Sequence, residues 1–173
     1  MRQMRGSTLM KTYIKWVLFM VLPCYLIDQL TKWLILTHLQ IGDFITILPG
    51  YFEIIHVRNT GAAFGLLQNM PGTFRTIFFF TITVIACMAI LLIFWQTKDR
   101  SVLLKVVLCL ILAGALGNLT DRLIHKEVVD FINIHIASHR WPTFNMADTY
   151  ISLGMIGLLI YTFISPKPKP QQD

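Results

Sequence analysis

Charged side chains are scarce in this sequence. Lys and Arg together number 15 and Asp and Glu 9 among 173 residues, 14% in all, where a soluble domain carries about a quarter. With 55% hydrophobic residues and a mean hydropathy of +0.62, that shortage excludes an ordinary soluble domain. Cysteine is scarce too. Cys24, Cys87 and Cys109 all fall inside apolar runs, an odd number without paired spacing, which excludes a disulfide framework and reads as small membrane-buried side chains. The "VLPCY" around Cys24 has the look of a lipoprotein modification box, but Pro23 stands where such a box needs a small residue. A cleaved signal peptide is excluded as well: the first apolar run is too long, and no A-x-A-like site follows it. There is no G-x-S-x-G elbow, no phosphate-binding loop and no G-x-G-x-x-G. Ser101, Ser138 and Ser152 have no Lys or His in a dyad pattern. His135 and His139 lack the glutamate of H-E-x-x-H and, with His125, read as scattered interfacial imidazoles, so no metal site and no cofactor are expected.

Long apolar runs are what the sequence has instead. Trp16 to Leu36, Phe74 to Trp95, Val102 to Leu119 and Ala147 to Ile164 each approach the length of roughly 20 residues that crosses a bilayer. They predict a mainly α membrane protein of four transmembrane helices, the third extended toward Ile124. The whole of residues 1–173 reads as one integral membrane domain, with a basic tail over about 1–15 and a Pro-rich disordered tail over 165–173. Arg2, Arg5, Lys11 and Lys15, then Lys98 and Arg100, then Lys167 and Lys169 mark one side of the membrane. The positive-inside rule puts both termini in the cytoplasm and the longer loops, about 37–73 and 125–146, outside. Trp16, Trp33, Trp95 and Trp141 fall near helix ends, as interfacial aromatics do. The net charge of +6 is then a topology signal, and no nucleic-acid partner is expected. In the first outer loop, FITILPGYFEIIHV at 44–57 holds two β-type runs broken by Pro49-Gly50, which predicts a small sheet or cradle on the outer membrane face.

Polar residues intrude on this pattern at a few places. Asp28 and Lys32 in "DQLTK" are spaced to pair on one helix face, as an anchor or as part of a site. Asn118 stacks over Asp121 and Arg122 in "GALGNLTDR", where Gly114, Ala115 and Gly117 permit close helix approach; a supporting network and helix glue both fit. Asp130 interrupts the apolar "EVVDFIN", in what reads as an irregular segment. Asp148 opens the last helix three residues after Asn145. Acids at such places are costly unless paired, solvated or used. Two carboxylates held close share a proton, so that one can activate water while the other protonates an amide carbonyl. Position alone leaves catalysis, transport and a structural role open.

The motifs "DQLTK", "RNTGAAF", "GALGNLTDR", "VVDFI" and "FNMAD" occur in the order and rough spacing of the lipoprotein signal peptidases, and the chain resembles that family over residues 28–148. The resemblance implies a membrane aspartyl endopeptidase with Asp130 and Asp148 as its catalytic dyad. It places Asn59 and Gly61 beside the substrate channel, Asn118, Asp121, Arg122 and Asn145 around the dyad, and Asp28 and Lys32 in the first-helix motif. It implies cleavage of diacylglyceryl-modified prolipoproteins just before the lipidated Cys, at the outer face of a bacterial inner membrane. A monomer bathed in membrane lipid is expected. Ala113 stands where many members have a second glycine, a departure expected to be harmless. A small transporter or a non-catalytic membrane chaperone is the alternative. Within the dyad, the dipole of the last helix favours charge on Asp148, so the shared proton is expected on Asp130, with Asp148 as the base.

Overall fold

Four apolar helices dictate the architecture, and the two longer loops fold back onto their ends. The computed structural model describes residues 13–60, 70–96, 101–136 and 139–164. Gly61, Ser138, the basic residues of both tails up to Lys11 and after Ile164, and Lys98 and Arg100 lie outside them. The spans are α1 (Tyr13–His38, with a π-helical turn at Val17–Val21), α2 (Gly72–Gln96), α3 (Val102–His125) and α4 (Met146–Ile164). Each is long and apolar enough to cross a membrane. The α3 helix is the buried centre, and the other three expose most of their length, as helices facing lipid do. Around α3 pack Val21 of α1, Cys87, Ile90 and Phe94 of α2, and Leu158 and Tyr161 of α4. The three cysteines are free thiols, and Ala113 is wholly buried in this core.

The α3–α4 seam is the tightest of these contacts, and small residues make it so. A Cβ on Gly114 would run into the Ala147 carbonyl oxygen of α4, and, where α3 meets α1, one on Gly117 would run into the Asp28 carboxylate. Gly117→Ala should therefore cost about 1–3 kcal/mol through overpacking and disturb Asp28, lowering both the unfolding temperature in detergent and activity. A variant as stable and active as the parent would show that the contact between α1 and α3 yields.

The sheet is antiparallel in the order β1 (Phe44–Leu48), β2 (Phe52–Asn59), β3 (Val128–Ile136), β4 (His139–Arg140). Its first hairpin turns at Pro49-Gly50, where Gly50 has φ +80° and the Tyr51 N–H donates to the Leu48 carbonyl at 3.0 Å. Proline before a positive-φ glycine suits that turn. The expected cradle is thus present, but it is larger than residues 44–57 suggested. Asp130 does not lie in an irregular segment: it sits in β3, opposite Val57. The apolar run gave little sign of a strand because its first four residues are all buried, which removes the alternation that marks a half-exposed strand. Val129 and Phe131 pack on Ile35 near the end of α1. His56, at the irregularity of β2, faces the Leu39 carbonyl with Nδ1 at 2.9 Å and ties the hairpin to the same place.

Candidate active site

Two backbone devices bring Asp130 and Asp148 together. Lys126 ends α3 in the left-handed conformation, φ 65°, and the Val129 N–H donates to Asp121 Oδ2 at 3.1 Å, fixing where β3 starts. The chain entering α4 is then stitched to β3. Phe131 and Ile132 donate N–H to the Phe144 carbonyl at 3.0 and 2.8 Å, and Phe144 donates back to Ile132 at 3.1 Å. The next residue, Asn145, is the N-cap of α4.

Asn145 does three things at once. Its Oδ1 accepts from the Asp148 N–H at 2.9 Å, while its own N–H donates to Asp148 Oδ2 at 3.3 Å. That is a reciprocal capping box, with an acid three residues after the cap. Its Nδ2 donates to Asp130 Oδ1 at 2.7 Å. One wholly buried residue thus meets both carboxyls, Asp130 through its side-chain amide and Asp148 through its backbone N–H. Asp130, 1% exposed, also accepts from Asn59 Nδ2 at 2.8 Å. Burial is the main cause that pushes its carboxyl up from 3.8 to about 7; the Asp148 charge adds to it, and the Asn59 and Asn145 hydrogen bonds and the Lys32 charge oppose it. Asp148 is half-buried and accepts from Asn118 Nδ2 at 2.8 Å.

Behind the pair lies a charge network contributed by α1 and α3. Lys32 Nζ stands 2.9 Å from Asp28 Oδ2, 3.0 Å from Asp121 Oδ2 and 3.0 Å from Asn118 Oδ1. Asp28 Oδ1 in turn accepts the Ala147 N–H at 2.8 Å, a second free donor in the first turn of α4. Asp28 and Lys32 do pair as their spacing suggested, but the pair is also wired to the carboxylates. Arg122 donates to the Asn118 carbonyl at 3.1 Å and lies over the Phe79 ring, 5.8 Å from its centroid. Gln29 was not singled out from the sequence, although it adjoins Asp28; its Nε2 reaches Asp28 Oδ2 at 3.1 Å and the Gly117 carbonyl at 3.3 Å. His135 stands elsewhere on the sheet, 3.5 Å from Glu53.

A cavity of about 620 Å³ opens in front of these residues. Asn59, Arg122 and Asp148 supply its polar wall, Phe79 and Leu153 its apolar wall, and Trp141 to Phe144 its rim. Asp130 lies one hydrogen bond behind Asn59. A half-buried carboxylate faces the cavity, with a second, protonatable carboxyl behind it.

Comparison with known proteins decides the family. The family model described as "Signal peptidase (SPase) II" matches residues 20–164. The chain belongs to the signal peptidase II family. Among the most similar relatives of this peptidase is the lipoprotein signal peptidase of Syntrophus aciditrophicus (strain SB), 40% identical over 146 residues that cover 83% of this chain and 89% of the relative. That of Acinetobacter baumannii (strain ATCC 17978) is 42% identical over 149 residues, covering 85% and 82%. A solved structure described as a bacterial membrane enzyme superimposes with a TM-score of 0.77 at 33% identity, covering 90% of this chain and 92% of that one. A second of the same description gives 0.76 at 34%, covering 86% and 93%. The chain is therefore an aspartic-type peptidase, a hydrolase, and a multi-pass bacterial membrane protein.

Proposed function

We propose that this enzyme cleaves the signal peptide from diacylglyceryl-modified prolipoproteins just before the lipidated Cys, with Asp130 and Asp148 as its catalytic groups. The observation that carries this reading is the one buried residue, Asn145, whose side-chain amide bonds the Asp130 carboxyl and whose backbone N–H bonds the Asp148 carboxyl beside the cavity. Asp148, on the cavity wall, takes a proton from water as the water oxygen attacks the scissile carbonyl carbon. Asp130 gives its proton to the carbonyl oxygen. The tetrahedral gem-diol collapses as the C–N bond breaks: the proton gained by Asp148 passes to the leaving amine, and one hydroxyl of the diol returns its proton to Asp130, leaving a carboxylic acid and the pair as it began. Asn59 and Asn145 hold the Asp130 carboxyl, Asn118 holds Asp148, and Arg122 lines the cavity where the peptide would lie. The distribution of Lys and Arg supports cytoplasmic termini and a site near the outer face, where water enters and the lipid tails of the substrate remain in the bilayer. The network is complete within one chain, which supports a monomer.

Purified enzyme in detergent should release the signal peptide from a diacylglyceryl-modified prolipoprotein without gradient, nucleotide or added metal, and EDTA should leave the rate unchanged. Binding with no change in precursor mass would point to a chaperone. Proton flux in sealed vesicles without cleavage would point to a transporter.

The pH profile follows from Asp130. The acid is needed protonated, so kcat/KM should fall tenfold per pH unit above about 7. Asn59→Leu removes a hydrogen bond that holds that carboxyl down and should move the limb to higher pH. The raised value also means that Asp130's contribution to stability is present below about 3.8 and lost as pH rises through about 7. A descending limb that ignores Asn59→Leu would detach it from Asp130.

A further inference from the structure

Lys32 is 2% exposed and takes no part in the bond-making steps above. An ammonium has three N–H donors and no acceptor, and here three oxygens meet it: Asp28 Oδ2, Asp121 Oδ2 and Asn118 Oδ1. The third contact has a consequence for the site. The Asn118 atom facing Lys32 has to be the carboxamide oxygen, because a nitrogen there would set donors against donors. The carboxamide nitrogen must then face the other way, and it faces Asp148 Oδ1 at 2.8 Å. Asn145 Nδ2 also approaches Asn118 Oδ1, at 3.2 Å, but its hydrogens have a shorter bond to Asp130 at 2.7 Å and one to the Val129 carbonyl at 3.2 Å. Lys32 is the firmer of the two restraints.

We propose that Lys32 is a positioning residue that directs the shared proton of the carboxylate pair through Asn118. With the ammonium in place, Asn118 presents N–H to Asp148, a partner that suits a carboxylate; the proton is left to Asp130. Turned over, the carboxamide would present its oxygen to Asp148, and a carboxyl facing an acceptor must carry a proton. The wrong acid would then be protonated, and the group lining the cavity could no longer take a proton from water. The charges facing this junction are Asp28 from α1, Asp121 and Arg122 from α3, Asp130 from β3 and Asp148 from α4. The inference rests on Asp130 and Asp148 being the catalytic pair.

Removing Lys32 alone would leave two acids facing an empty place, so the test pairs it with one of them. Asp121→Asn/Lys32→Met conserves the net charge and leaves Asp28 its bonds from Gln29 and the Ala147 N–H. We expect precursor binding within about threefold of the parent and kcat down about 100-fold, the scale of a lost general base. Infrared difference spectra give the readout that a structural role would not move. With Lys32 intact, Asp130→Asn should remove the carboxylic-acid band at neutral pH. In the Asp121→Asn/Lys32→Met background the band should survive Asp130→Asn and disappear when Asp148→Asn is added. A band that vanishes with Asp130→Asn in both backgrounds, or survives it with Lys32 intact, overturns the proposal. Asp121→Asn/Lys32→Gln returns an amide donor without the charge, and should recover at least tenfold of the lost kcat with the proton again on Asp130. If the Met variant does not fold, this one decides alone: a folded protein that binds precursor yet remains about 100-fold slow overturns the proposal. The spectra are independent of cleavage. Should Asp130→Asn or Asp148→Asn retain full turnover, the catalytic reading fails whatever the bands show.

Discussion

Asp130→Asn and Asp148→Asn should each reduce signal-peptide release by about 10²- to 10⁴-fold, the range contributed by a positioned acid or base, with the precursor still bound. Asparagine keeps the shape of each side chain and an oxygen for one of the two donors that meet it, so one hydrogen bond is lost at each site. At Asp130 these are Asn59 and Asn145, and at Asp148 the Asn118 amide and the Asn145 N–H. The fold should therefore survive, and replacing a buried acid at position 130 should even raise stability above neutral pH. The double variant should be little slower than either single one, because two groups acting in one step are not additive. Single-turnover cleavage beside a binding measurement checks this. A double variant slower by the product of the two losses would mean that the acids act independently.

Asn145→Ala should be nearly as damaging, and for two separable reasons. It removes a helix cap, worth about 1 kcal/mol, and it removes the amide that meets Asp130 Oδ1. Asn145→Asp separates them. An aspartate still caps α4 through one oxygen but turns the other toward Asp130, acid against acid. We expect Asn145→Ala to lose both stability and about 100-fold in kcat, and Asn145→Asp to lose kcat to a similar degree while unfolding closer to the parent temperature. Equal destabilisation in the two variants, with activity following it, would reduce Asn145 to a cap.

The spans were legible because an apolar run of that length has few other uses in a protein. The three-residue spacing of Asn145 and Asp148 at the start of a helix was legible too, but that Asn145 caps the helix shows only in the structure. What the sequence could not display was partnership across distance. Asp28 and Lys32 satisfy an i to i+4 pairing by themselves, so nothing in "DQLTK" points to Asn118, 86 residues away from Lys32. The strand around Asp130 was hidden by burial on both faces, and it becomes visible only once Val57 and Asn59 lie alongside. Phe79 and Trp141 look like ordinary lipid-facing and interfacial aromatics until the cavity between them is seen.

The contact between Asp28 and the Ala147 N–H joins residues 119 apart in sequence, the first span to the last. Synthesis proceeds from the amino terminus, so α1 must wait with an unmatched acceptor until α4 has been made. Until then Asn145 has no helix to cap, and Asp148 has not yet emerged. On the proposed catalytic pair, a partly made chain would hold Asp130 without Asp148, and peptidase activity would arrive with α4.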